Sequence, residues 1–307
     1  MGALVLGAAS QGVAAAATAS SYGNFNCTGS LASPGVLAGS YGDVSVTGTC
    51  VVNAGSAVVH GDLTIAPGGA LAAIFGQNDL TSSGNSDLTV QGDLIVQSGG
   101  SLMLGCYSLE VTVWGVHHLV TVPDFPCADD PNPNVPTLNT HDVIDGDLIA
   151  NNALGVVVHQ TVIHGDLIET GGGAGLGCAA VGIFDKYFGL PEYSDFANTS
   201  VGGDMKVTGL DTCWYGLIRN TVHGDMTSSD NLSLPDAGEV VNNTVYGDLS
   251  CQNNDPAVEL GDSDGSPNLV GGDATGQCGF DVILPNPAPN VGVLVPPTFQ
   301  PASVPLH

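Results

Sequence analysis

The chain has 307 residues, with 30 acidic side chains against 3 basic ones and a formal net charge of −27. That balance excludes nucleic acid, anionic membranes and anionic polysaccharides as partners, because such binding rests on Lys and Arg neutralising negative charge. It also disfavours exposed helices: Glu, Lys and Arg are scarce, while 44 Gly and 25 Asp supply turns.

In chain order, residues 1–19 read as the remains of a secretory signal peptide. Ala3 to Ala17 is apolar and small, and Ala17-Thr18-Ala19 offers an A-x-A cleavage site, although no basic n-region precedes it. A buried N-terminal cap is the alternative. No other apolar run is long enough to span a bilayer as a helix.

Residues 20–284 are organised by a recurring phrase, Val59-His60-Gly61-Asp62-Leu63. Its Gly-Asp pairs end at Asp43, Asp62, Asp93, Asp147, Asp166, Asp204, Asp225, Asp248 and Asp273. Successive spacings of 19, 31, 54, 19, 38, 21, 23 and 25 predict a repeat of about 19–21 residues, lengthened by insertions. Around the phrase, Val59, Leu63 and Ile65 alternate with His60, Asp62 and Thr64, the period of a half-buried strand. Gly in the apolar register has nothing to bury and marks a bend. Gly68-Gly69, Gly99-Gly100 and Gly171-Gly172 follow at a fixed offset, where a turn needs φ > 0. Strand, bend, strand, turn and strand describe one coil. The predicted fold is therefore all-β, a right-handed parallel β-helix solenoid with lateral loop insertions.

Stacked coils would set the nine aspartates in a column. Carboxylates about 5 Å apart repel by roughly 1 kcal/mol in water. Either each Asp accepts a backbone N–H in its own bend while solvent and salt screen the rest, or calcium (Ca2+) binds between rungs as a cofactor. The residue before each Gly is also outward, so Asp145, Asp147, His164 and Asp166 would form a square of three carboxylates and an imidazole. Such a set suits a transition metal or zinc, while a plain His–Asp pairing explains it without metal.

Two insertions interrupt the rhythm. The first, about Tyr107 to His141, carries Trp114, His117, His118 and Asp129-Asp130; alternation at Leu109, Val111 and Val113 suggests a further coil. The second, Gly182 to Asn198, gathers Phe184, Tyr187, Phe188, Tyr193 and Phe196, five of the chain's fifteen Phe and Tyr. These aromatics either face a ligand such as a sugar or pack the loop back onto the coils. Asn220, Asn243 and Asn268 each lie five residues before their Asp, which predicts a stacked amide ladder. Eight cysteines without any C-x-x-C pair point to disulfides, and neighbour pairing gives Cys27–Cys50, Cys106–Cys127, Cys178–Cys213 and Cys251–Cys278. Eight cysteines allow 105 connectivities. Residues 285–307 form a Pro-rich tail with no core of its own.

The Val-x-Gly-Asp-Leu phrase, Asn220–Met226 and Gly276-Gln277-Cys278 resemble a group of secreted β-helix repeat proteins of Gram-positive bacteria, over most of residues 25–284. That group has no established activity to carry over. The short-period phrase is more distantly similar to the polymer-forming bactofilin β-helices, a likeness that implies end-to-end self-association. Cysteines, long insertions and export depart from the bactofilin pattern.

Many right-handed β-helices are pectate lyases or polygalacturonases, which need basic residues on uronate substrates. Here Lys186, Lys206 and Arg219 are scattered, and no G-x-S-x-G, H-E-x-x-H or phosphate-binding loop is present. The expected function is thus a secreted or cell-surface, non-catalytic structural or adhesive scaffold. The alternatives are a carbohydrate-active β-helix and a calcium-dependent adhesion protein. Neutral glycans or basic proteins are the partners that the charge admits.

Overall fold

A computed structural model describes residues 22–76, 78–81, 83–105, 110–113, 116–119, 141–261, 267–279 and 282–283. The segments 1–19 and 285–307, the Cys106–Cys127 pair, Trp114 and Asp129-Asp130 lie outside the described residues.

The chain is a parallel β-helix solenoid. Three long sheets run along it, of ten, eight and ten strands, and each joins strands one coil apart. The first sheet holds the strand that follows each Gly-Asp, the second the strand after the next corner, and the third the strand that leads back into Gly-Asp. Val44, Leu63, Leu94, Leu148, Leu167, Met205, Met226 and Leu249 stand in register on the first sheet. All eight are buried, because this position always faces the lumen. Val59, Val90, Ile144, Ile163, Val201, Val222, Val245 and Val270 form the matching row on the third sheet. A lone coil exposes both rows, so burial is achieved only by stacking.

Corners require left-handed backbone, and the sequence supplies residues that tolerate it. Between the first and second sheets, Asn152, Gly171, Gly209, Asp230, Asn253 and Gly276 all have positive φ. The expected Gly-Gly turns conform, with φ of 74° at Gly68, 75° at Gly99 and 64° at Gly171. Between the second and third sheets the same part falls to Gln160, Asn198, Arg219 and Asn242.

Next to these corners, amides turn inward. Asn243 accepts the Asn220 N–H (2.8 Å) and Nδ2 (3.1 Å) and donates to Asn268 Oδ1 (2.8 Å). The expected ladder is therefore present. Its links are fully buried, and each Nδ2 also satisfies a strand carbonyl, Phe196, Leu217 or Val240. A second ladder, Asn231–Asn254–Gln277, occupies the opposite corner.

Among the described residues three disulfides staple the solenoid. Cys27–Cys50 crosses the lumen in the first coils, Cys251–Cys278 closes the last ones, and Cys178–Cys213 ties a lateral segment to the next coil. They close loops of 23, 27 and 35 residues, worth roughly 3–4 kcal/mol each on a chain-entropy view. Among the described residues no helix is long and apolar enough to cross a membrane.

One expectation about the coils needs correction. Glu110–Val113 and Val116–Leu119 pair antiparallel in a separate two-stranded hairpin, so the first insertion is not a further coil there. The 38-residue spacing holds one coil and the second insertion, since Leu167 pairs directly with Met205. Its extra residues include the helix α1, Gly182–Phe188.

Candidate functional site

The recurrent Gly-Asp is the first place to look for chemistry, and the structure gives it a mechanical task. Asp43 Oδ1 accepts the backbone N–H of Asp62, Asp62 that of Asp93, Asp93 that of Asp147, and so on to Asp248 and Asp273. The eight bonds measure 2.8–3.2 Å. The partner N–H therefore belongs to the next coil, not to the same bend as expected. Asn24 begins the row, its Oδ1 accepting the Asp43 N–H at 3.0 Å.

This geometry also explains the glycine. Gly61, Gly92, Gly146, Gly165, Gly203, Gly224, Gly247 and Gly272 do not have positive φ, so a special bend is not what selects them. A Cβ at any of them would collide with the Asp Oδ1 of the preceding coil. Gly clears the path of the carboxylate. Each Gly N–H meanwhile bonds the Gly carbonyl one coil back, at 3.1 Å for Gly165 on Gly146.

Beside this ladder runs the column that precedes each Gly. Tyr22 stacks on His60 (4.0 Å) and His223 on Tyr246 (5.0 Å). His60 Nδ1 meets Gln91 Oε1 at 2.9 Å. His164 Nδ1 lies 3.0 Å from Asp145 Oδ1, both side chains 45% exposed. The expected metal square of Asp145, Asp147, His164 and Asp166 is thus divided. Asp145 and His164 pair with each other, whereas Asp147 and Asp166 each commit one oxygen to the ladder. Among the described residues no group of three or more His, Cys, Asp or Glu is placed to hold a metal ion.

The outer face of the second sheet is the other concentration of functional groups. One outward row runs Met103, Val157, Asp195, Gly216, Glu239 and Glu259. Over its first half lies the second insertion. Ile183 and Phe184 of α1 join Val51, Ala72, Ile74, Phe75, Met103, Val157 and Tyr193 in an apolar cluster separate from the lumen. Of the aromatics considered for ligand contact, Phe184 and Tyr193 are buried there, and Phe196 sits in the lumen core. Tyr187 and Phe188 are half-buried against the same cluster, Tyr187 meeting Phe75 edge-on at 5.5 Å. The aromatics therefore pack the loop back onto the coils.

At the end of that cover, His159 Nε2 and Asp195 Oδ2 form a 2.7 Å pair, their side chains 3% and 12% exposed. Trp214 lies across Gly216 beside Asp195, and its ring meets Tyr193 edge-on at 5.6 Å. Glu192 accepts the Ser101 hydroxyl at 3.1 Å, and burial raises its carboxyl above the usual range. An imidazole–carboxylate pair can move protons, but this one is closed to solvent.

Two further carboxyls are fully buried. Glu169 points into the lumen, where its Oε1 accepts the Ser194 hydroxyl at 2.9 Å and Oε2 has no partner among the described residues. Burial pushes its pKa up to about 8 despite that bond. Asp142 accepts the N–H groups of Leu88 (2.7 Å) and Gly105 (2.9 Å), and burial lifts it to about 7. Strand alternation could have found Glu169, since Leu167 faces inward and Glu169 shares its parity. Nothing in the sequence pairs His159 with Asp195, because the insertion hides the register of the strand Ser194–Ala197.

The three basic residues stand apart. Lys186 donates from α1 to the Leu31 carbonyl (2.6 Å), Arg219 donates to Asn198 at a corner (2.9 Å), and Lys206 is exposed on the first sheet. No protein family, curated protein or solved structure matches the chain.

Proposed function

We propose that the protein is a non-catalytic structural or adhesive scaffold that works outside the cell, where its disulfides persist. The supporting observation is the aspartate ladder: the most repeated chemical group of the chain is spent on joining one coil to the next. Two amide ladders and three cystines act in the same direction, toward a stiff rod. The bactofilin likeness adds end-to-end stacking as a mode of assembly, and the acidic surface favours basic proteins as neighbours.

A screen of the oxidised chain by thermal shift tests the reading, using calcium, zinc and neutral oligosaccharides, together with hydrolysis assays on the same sugars. The expected result is no turnover and melting temperatures within about 1 °C of the unliganded chain, since tight ligands stabilise by mass action. Turnover, or a ligand-dependent rise of several degrees, would overturn it.

A carbohydrate-active role is the second reading. It is favoured by Asp195 and Glu239 standing two coils apart on one row with Gly216 and Trp214 between them. Two rungs span about 9.6 Å, at the upper edge of the roughly 6.5–9.5 Å that separates paired carboxylates in inverting glycosidases. Sugar binding lost in Trp214→Ala would support this reading over the scaffold.

A further inference from the structure

The second insertion behaves as a strap. It leaves the first sheet after Gly172, crosses the outer face of the second sheet, and returns at Ser194. Its near end is fixed to the following coil by Cys178–Cys213 and by the Gly175 N–H on the Asp211 carbonyl (2.8 Å). Its far end reaches the first coils, where Lys186 Nζ donates to the Leu31 carbonyl. Beneath it lie Ala72, Ile74, Met103 and Val157, all at most 1% exposed, and Phe184 rests on Gly155, whose missing Cβ would come within 2.9 Å of the ring.

The attachments are unequal. Within α1 only Ile183 and Phe184 are fully buried, with Tyr187 and Phe188 half-buried and Tyr193 buried beside them, against the conformational entropy of ordering a strap of roughly twenty residues. The cystine supplies the covalent anchor of the strap. Its exposure also sets it apart from the other two: Cys27, Cys50, Cys251 and Cys278 are all at most 2% exposed, whereas Cys178 is partly open to solvent.

From these observations we infer that Cys178–Cys213 is a thiol-exchange site whose opening releases the strap and uncovers the apolar face beneath. The co-reactant is a small dithiol or a dithiol protein. One thiolate attacks Cys178 Sγ, the Sγ–Sγ bond breaks, and Cys213 leaves as a thiolate that takes up a proton. The second thiol then attacks the mixed disulfide and frees Cys178, so two electrons and two protons pass to the cystine and the dithiol ends as a disulfide. The solenoid itself keeps its lumen and the other two staples.

Dithiothreitol titration of the full oxidised chain tests this, with alkylation and peptide mass spectrometry at each step. Cys178 and Cys213 should become alkylated at about a tenfold lower reductant concentration than Cys27, Cys50, Cys251 and Cys278. Over the same range, the fluorescence of an apolar-surface dye should rise several-fold. Trypsin, which has only Lys186, Lys206 and Arg219 to cut at, should begin to cleave after Lys186 alone. The double variant Cys178→Ser/Cys213→Ser should show the dye and trypsin responses without reductant, and if it does not fold, the titration alone decides. Simultaneous reduction of all three cystines would overturn the inference. So would selective opening of Cys178–Cys213 with unchanged dye binding and no cut at Lys186.

Discussion

Asp147 Oδ1 accepts the backbone N–H of Asp166 at 2.8 Å, nineteen residues and one coil away. That bond makes a surface carboxylate part of the main-chain network, and it recurs from Asp43 to Asp273. The N–H dipoles aimed at the row offset the repulsion that stacking would otherwise impose.

The ladder needs an oxygen acceptor, not a charge, as Asn24 already demonstrates at its start. Asp147→Asn should keep stability within about 1 kcal/mol, whereas Asp147→Ala should cost about 1–3 kcal/mol, the range for a charge-assisted bond lost in a partly buried setting. Urea denaturation of the two variants checks the difference.

Glycines of the chain fall into two kinds that should respond differently to alanine. At Gly165 a Cβ meets Asp147 Oδ1, so Gly165→Ala should cost about 1–3 kcal/mol through forced displacement of the ladder. At Gly68 nothing lies within 4 Å of the Cβ and only the positive φ opposes substitution, at about 1–2 kcal/mol. A Gly68→Asn change, tolerant of left-handed backbone, should recover most of that loss, while Gly165→Asn should not recover any.

Burying an amide ladder makes each link costly to remove. Asn243→Ala deprives the Asn220 N–H of its acceptor and the Leu217 carbonyl of its donor. At about 1–3 kcal/mol for each orphaned group, melting should fall by well over the effect of Asp147→Ala. Asn243→Asp should not rescue it, because a carboxylate cannot donate to Leu217. Thermal melts of the three variants provide the comparison.

The buried carboxyls set a pH dependence. Glu169 titrates near 8 in the folded chain, against an ordinary value near 4.3 when unfolded. The folded state therefore holds this proton more tightly, so its contribution is complete below the ordinary value and is lost as pH rises to about 8. Asp142, lifted to about 7, acts in the same direction. Melting temperature should decline between pH 5 and pH 8.5. Glu169→Gln, neutral throughout, should flatten the upper part of that decline.

The solenoid could be read from the sequence because Gly-Asp returns in every coil and the residue after it is always lumenal. The Asn220–Asn243–Asn268 ladder was legible for the same reason, as each keeps one offset from its Asp. The second ladder was not: Asn231 and Asn254 lie six residues after their Asp, but Gln277 lies only four after Asp273, and a longer side chain makes up the distance. Neighbour pairing of cysteines succeeded at Cys27–Cys50, Cys178–Cys213 and Cys251–Cys278 because each bond joins points close along the stack. Helix α1 escaped notice because Gly182–Phe188 is rich in aromatics of low helix propensity, and it is held by tertiary packing on the second sheet. The His159–Asp195 pair depends on a register that no local pattern records.

Amide hydrogen exchange at the aspartates tests the ladder most directly. If the carboxylates join the coils, the N–H groups of Asp62, Asp93, Asp147, Asp166, Asp204, Asp225, Asp248 and Asp273 should exchange as slowly as those of the lumenal leucines beside them, and Asp147→Ala should release Asp166 in particular. Exchange at the rate of open surface bends across all eight positions would contradict the ladder and remove the main support for a scaffold.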